Sequence, residues 1–402
     1  MKRFLRIISF LPFILALLVA IKLYGKQLFA STPQIPVAEL AAVTPVVEGL
    51  QVDSAVSTHR IQVALLLDVS NSMDGLIDQA KRKLWQVVNE LGEARKGLAA
   101  PQLEISLIIY GGDYLDPKVG YVKVLSPMTA DLDYISENLF SVRTNGGSEF
   151  CGKAIEKALA LPWSAESQDL KMIFIAGNEP FNQGPLAYMQ VCQQAALKDI
   201  FVNTIFCGNF QQGINTYWKH GAELTQGAYL NIDQNVREVV IETPYDSRLN
   251  QLNQELNKTY HYYGAKGKAN FDRMQSQDQK AASNGSGYSR TLTKSKKSLY
   301  SNSSWDLVDA YKKDKQVVQN LKEDDEVFKN GEYRNKAELE KAVQALTVKR
   351  DSIQVVIGEV GKQRQQYIQD NQTTPDKNTL GNAMLKTIQE QAQKKAYRFE
   401  KK

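Results

Sequence analysis

A short apolar run, Gln62 to Leu67, breaks off at Asp68-Val69-Ser70-Asn71-Ser72, and this junction limits the possible folds more than any other stretch. Six almost wholly apolar residues suit a strand covered on both faces, as in the middle of a parallel sheet. Asp68, Ser70 and Ser72 follow at i, i+2 and i+4, so three oxygen-bearing side chains emerge together just past the strand's C-terminal end. Gly75 then releases the chain into an amphipathic helix, with Leu76, Ile77, Ala80, Leu84, Val87, Val88 and Leu91 on one face. A carboxylate and two neutral hydroxyls are hard donors, which suit Mg²⁺ or Mn²⁺ better than zinc, an ion that prefers nitrogen and sulfur.

The alternation of strands and helices runs on to about residue 243. Apolar runs at 103–110, 170–176, 201–207 and 228–232 read as strands, and the alternating run 121–125 reads as an antiparallel edge. Helical stretches fall at 131–139, 150–160, 186–197, 214–224 and 236–241. The order predicts an α/β domain over 59–243, doubly wound about a mostly parallel six-stranded sheet with right-handed crossovers.

The D-x-S-x-S turn together with this order of elements resembles the metal-ion-dependent adhesion site of von Willebrand factor type A (VWA) domains, over about residues 60–242. The resemblance implies a Rossmann-like sheet with a ligand crevice above the first strand, where the strand order reverses. It also implies that Asp68, Ser70 and Ser72 are metal-site residues. A second loop supplies a threonine, a third supplies an aspartate, and one coordination position stays open for an acidic side chain of a partner protein. Here the second loop is Gly146-Gly147-Ser148-Glu149, in which Ser148 stands in for the threonine. Glu149 is an added carboxylate: it either reaches the metal, in the place a partner's acid would take, or points into solvent or caps the following helix. The third loop, Phe174 to Pro180, sets Gly177 where the aspartate belongs, leaving Asn178 or Glu179 to compensate through a coordinated water. The expected cofactor is Mg²⁺ or Mn²⁺. The alternative is a vestigial site in which Asp68 and the serines hold the loops by side-chain-to-backbone hydrogen bonds.

The net charge of +5 is mild and its signs are interleaved, so no nucleic-acid partner is expected. No phosphate-cradling loop, H-E-x-x-H or G-x-S-x-G is present, and the chain reads as a non-enzymatic binding module for an unidentified protein partner. The alternative is a metal-free structural scaffold of the cell envelope acting through its tail. Residues 1–30 place Lys2, Arg3 and Arg6 before an apolar run from Ile7 to Ile21. That run spans about 22 Å as a helix, against a hydrocarbon core of about 30 Å, and fits either a cleaved signal peptide or a retained membrane anchor. Either way the remainder is expected to be extracytoplasmic, soluble in the periplasm or held at the inner membrane, with 31–58 as a tether. In such an oxidising compartment Cys151, Cys192 and Cys207 allow one disulfide or remain buried thiols.

Residues 244–402 are polar. They predict a solvated helical extension with a heptad-like stripe between 336 and 369 and a mobile Ser- and Lys-rich segment near 283–304. Tyr260, Tyr262 and Tyr263 form an aromatic cluster suited to docking the tail on the domain or to a partner patch.

Overall fold

In the computed structural model, residues 59–233, 241–329, 333–371 and 379–399 are described. The expected export segment, the tether and nearly all of the helix expected at 236–241 lie outside them. The chain runs β1 (Arg60–Asp68), α1 (Asp74–Leu91), β2 (Ala94–Arg95), β3 (Gln102–Tyr110), β4 (Val122–Thr129), α2 (Leu132–Ser141), α3 (Cys151–Leu159), β5 (Leu170–Gly177), α4 (Tyr188–Leu197), β6 (Phe201–Cys207), α5 (Phe210–Asn215), α6 (Trp218–Glu223) and β7 (Tyr229–Ile232). The sheet order is β4-β3-β1-β5-β6-β7, with β4 antiparallel and every other pairing parallel. This is the doubly wound, mostly parallel six-stranded sheet that the sequence predicts.

Successive strand residues point to opposite faces, and both faces are dry. Ile61, Val63 and Leu67 of β1 join Ile105, Leu107 and Ile109 of β3, beneath α1 and α2. Ala64 and Leu66 face the other way, with Ile108, Ile173 and Ile175, beneath α3, α4 and Trp218 of α6. Because β1 is covered on both sides and flanked by β3 and β5, its C-terminal end is fixed at the centre of the sheet's upper rim. The helix expected at 214–224 is split into α5 and α6 by Tyr217, whose φ of 70° is left-handed.

The second half departs most from expectation. It comprises α7 (Asp246–Asn257), α8 (Gly267–Ser283), α9 (Gly287–Ser295), α10 (Leu307–Lys313), α11 (Glu326–Lys329), α12 (Lys336–Asn371), α13 (Leu380–Lys394) and β8 (Arg398–Phe399). These elements fold back on the sheet domain rather than extending into solvent. Leu249, Leu252, Met274, Ile357, Leu380, Met384 and Ile388 share one core with β1 and α1. The apolar stripe of α12 packs within the chain against α7, α9 and α10.

The Ser- and Lys-rich segment near 283–304 is likewise not a mobile linker. It forms α9, and its Arg290 and Lys294 are buried. Arg290 donates to Asp133 of α2 at 2.7 Å, pairs with Asp278 of α8, and lies 4.6 Å over the Trp85 ring of α1. Lys294 donates to Asp278 at 2.8 Å. Tyr260 docks inward, stacked on Trp305 at 5.9 Å.

Candidate functional site

Three loops meet over the C-terminal end of β1. The first is the turn after Asp68. Ser70 N–H donates to Asp68 Oδ1 at 2.8 Å, which turns Oδ2 inward, where it is buried without a hydrogen-bond partner. Asp68 is fully buried, Ser70 nearly so, and Ser72 is exposed at the mouth. The Ser70 and Ser72 hydroxyls lie 3.3 Å apart, so the alternate spacing does bring these oxygens together.

The second loop is pulled onto the first by Asn145 N–H, which donates to Val69 O at 2.8 Å. It also rests on the turn after β3: a Cβ on Gly147 would fall 2.1 Å from Gly111 O, so only glycine fits there. Ser148 is half-buried on this loop, and Glu149 is 6% exposed. Glu149 therefore does not point into solvent. Nor does it cap α3, whose N-cap is Phe150 without a side-chain hydrogen bond. Gly111, at φ +85°, separates the two acids: a Cβ there would lie 2.9 Å from both Asp68 Oδ1 and Glu149 Cγ.

The third loop contributes less than the family pattern implies. Gly177 backbone presses on the first loop, since a Cβ on it would meet Tyr110 Oη at 2.6 Å and Asp68 Oδ2 at 3.0 Å. Asn178 Nδ2 donates to Ser72 Oγ at 3.0 Å, while its Oδ1 is buried without a partner. Glu179 is half-buried, and its backbone O accepts from Trp218 Nε1 at 2.8 Å.

Burial pushes the Asp68 and Glu149 carboxyls up, each to about 7. Hydrogen bonds from Ser70 oppose the shift in both, and the negative charge of Glu179 reinforces it in both. With the Ser70 and Ser72 hydroxyls, the two carboxyls give the crevice an oxygen lining that suits a hard dication once they are ionised. Among the described residues no three His, Cys, Asp or Glu side chains converge as a metal-ligating group.

Sequence reasoning missed Asp113 in the turn after β3. Its N–H donates to Gly146 O, and its charge raises Glu149 further. The signal was present, because Gly111-Gly112-Asp113 closes an apolar run much as Asp68 closes the first.

The three cysteines are free, buried thiols, which corrects the disulfide considered from sequence. Cys207 packs into the core on one face of the sheet, and Cys151 and Cys192 into the core on the other. Burial raises all three, Cys192 to about 12, so none is a ready nucleophile. His220 Nδ1 is engaged by the Tyr188 hydroxyl at 2.7 Å, in an open groove it shares with Pro185, Met189 and Tyr217.

No family model and no curated protein matches the chain. Solved structures similar to it include BatB from Bacteroides thetaiotaomicron, at 17% identity over 49% of this chain and 98% of that one, TM-score 0.33. An aerotolerance-related membrane protein from Bacteroides fragilis is similar at 16% identity over 49% of this chain and 99% of that one, TM-score 0.30. The vWF domain of the type V pili tip protein Mfa5 from Porphyromonas gingivalis is similar at 12% identity over 43% of this chain and 90% of that one, TM-score 0.32. In the present chain the strand order reverses at β1, and the D-x-S-x-S turn sits on that strand under two further loops. The fold and the placing of this turn resemble those of von Willebrand factor type A domains. The resemblance breaks in two places, at an added buried acid, Glu149, and at a glycine at position 177.

Proposed function

We propose that the chain is an exported VWA-type binding module that holds Mg²⁺ or Mn²⁺ over β1 and engages a protein partner of the cell envelope through the surrounding rim. The observation that carries this reading is the buried, unpartnered Oδ2 of Asp68 at the switch point of the sheet. Leaving a carboxylate oxygen dry and unpaired is costly, and a cation is the natural complement for it. Asp68, Ser70, Ser72, Ser148 and Glu149 would hold the ion, with Asn178 and Glu179 at the margin. A bound dication supplies a fixed positive charge that ties the three loops into one surface.

The chain's own residues prepare that place. Ser70 N–H orients Asp68, Asn178 positions the Ser72 hydroxyl, and Gly111 and Gly177 let the loops close over the strand. Buried thiols with raised pKa values support binding over cysteine-based catalysis. Export rests on the basic and apolar pattern of residues 1–30. Among the described residues no helix is long and apolar enough to cross a membrane.

The test is calorimetric and thermal titration of the metal-stripped protein with Mg²⁺, Mn²⁺ and Ca²⁺. At a hundredfold excess over Kd, a one-site ligand adds about 2.7 kcal/mol to stability, and Asp68→Ala should abolish that gain. Neither heat nor thermal shift at millimolar metal would defeat the reading. A second reading, a scaffold acting through the tail, draws on Val348 and Val355, which are 69% and 62% exposed on α12. Under it, Asp68→Ala leaves partner binding intact.

A further inference from the structure

We infer that the base of the α/β domain, the pole opposite the Asp68 crevice, is a contact surface for a bilayer with anionic headgroups. Leu98 and Leu197 enter the bilayer, and the lysines around them meet the lipid phosphates. The inference goes beyond the metal-site reading and does not depend on it.

The topology gathers this surface. β1, β3, β5 and β6 are parallel, so the connections leading into them collect at one pole. Leu98 lies just before β3, and Leu197 ends α4 just before β6, whereas Asp68 ends β1 at the other pole. One exposed leucine is ordinary. These two are the most exposed large apolar side chains of the described residues, at 103% and 88%, and they share a pole. Leu98 is held outward at the tip of a tight turn. Lys96 N–H donates to Ala99 O at 3.0 Å and Ala99 N–H to Lys96 O at 3.3 Å, with Gly97 between them at φ +63°. Half-buried Trp163, in the connection before β5, donates from Nε1 to Ala158 O at 2.8 Å, and such an amphipathic ring suits a membrane–water boundary.

Hydrogen bonds tie these connections into one basic surface. Lys96 Nζ donates to Gln168 O at 2.8 Å, Lys198 Nζ to Leu159 O at 2.9 Å and Lys395 Nζ to Ser167 O at 2.9 Å. An ammonium group has three donors, so each can also meet a phosphate oxygen. Arg60 and Arg398 are exposed at the same pole. Of the acids in these connections, Asp169 is buried, Asp199 is paired with Lys395 and Glu93 with Lys296, while Glu166 is exposed. Positive charge draws a surface to anionic headgroups, and apolar tips then insert between them. A bilayer is favoured over an acidic protein for two reasons. The leucines stand on separate connections rather than forming one apolar patch, and the sequence's apolar run Ile7 to Ile21 joins the domain through this pole, at Arg60.

Site-specific fluorescence on the full chain tests this. The three native thiols are buried, so Leu98→Cys, Leu197→Cys and, as a control, Met189→Cys can each be labelled with an environment-sensitive dye. Met189 is exposed near the start of α4, toward the opposite pole. Vesicles containing phosphatidylglycerol should raise emission at 98 and 197 by about twofold or more, with a blue shift, and leave the label at 189 unchanged. Vesicles of phosphatidylcholine alone should give a smaller rise, and Lys96→Glu with Lys198→Glu should remove about half or more of the response at 98. Insertion of residues 1–30 would be common to all three labelled chains, so the label at 189 separates it from contact by the base. Thermal melting verifies that each variant folds.

Unchanged emission at both 98 and 197 in folded protein would overturn the inference, as would an equal response at 189. A response at 98 to soluble polyglutamate but not to vesicles would assign the surface to an acidic protein and also overturn it.

Discussion

Asp68 and Glu149 are two acids brought together in a dry crevice, and their protons report on what else the crevice holds. Both carboxyls are raised to about 7 by burial, so the ion-free fold retains protons that the unfolded chain would release above about pH 4. The metal-free protein should therefore lose stability as pH rises from about 4 through about 7, a fall measurable by thermal melting in chelator. A dication must displace the same protons. Its affinity should rise about tenfold per displaced proton between about pH 6 and about pH 8, read by Mn²⁺ titration, with the two acids titrating as a coupled pair. Gly177 gives a prediction of the opposite kind. Restoring the family's acid with Gly177→Asp should not strengthen metal binding, because the new Cβ meets Tyr110 Oη and Asp68 Oδ2. The crowding should cost about 1–3 kcal/mol in a denaturation experiment. At this scale Asp68, Ser70 and Ser72 were legible because their juxtaposition follows from local spacing on one strand end. The inward turn of Glu149 was not, since it depends on Gly111 and Gly147 letting a distant loop settle against β3.

At the scale of elements, the strands and helices of the α/β domain follow from apolar periodicity, and their boundaries agree closely with the sequence. Helix α9 shows where that reasoning stops. Its Ser- and Lys-rich composition reads as solvated, yet Arg290 is 1% exposed and bonded to Asp133, 157 positions earlier. Composition records that a residue carries charge, not whether a remote acid will meet it. Truncating Arg290→Ala should cost about 3–5 kcal/mol, since it leaves Asp133 and Asp278 buried and short of a partner. Burial opposes ionisation of Asp278, but Lys294 and Arg290 outweigh it and hold the carboxyl well below its usual range. The stability it contributes is present above about pH 4 and is lost as pH falls further, so acid melts of wild type and Asp278→Asn should converge at low pH. The α12 stripe teaches the same lesson. A heptad-like pattern specifies an apolar face without saying whether it meets another chain or, as here, α7 and α10 of its own.

For the molecule as a whole, the tail is a covering layer of the α/β domain. Helix α13 lies along α1 and beside β7, where Gln391 Nε2 donates to Asn203 Oδ1 at 2.6 Å and Leu380 N–H donates to Gln79 Oε1 at 3.0 Å. The last strand, β8, pairs antiparallel with β2, so the end of the described chain closes on a segment near its start. The core that α7, α8, α12 and α13 share with β1 and α1 ties tail and sheet together, and calorimetry of the whole protein should show a single transition. A fragment ending at residue 243 should lack a sharp melt and bind a hydrophobic dye, because the faces that receive α7, α9 and α13 would be bare. Sequence alone determined the doubly wound sheet, the central place of β1 and the oxygen cluster at its end, since each rests on periodicity and spacing within a few residues. Tertiary structure alone decided that Glu149 turns inward, that the thiols stay apart on opposite faces of the sheet or in separate helices, and that the polar tail packs onto the sheet domain. Those outcomes depend on which distant surfaces come into contact, and no local pattern encodes that pairing.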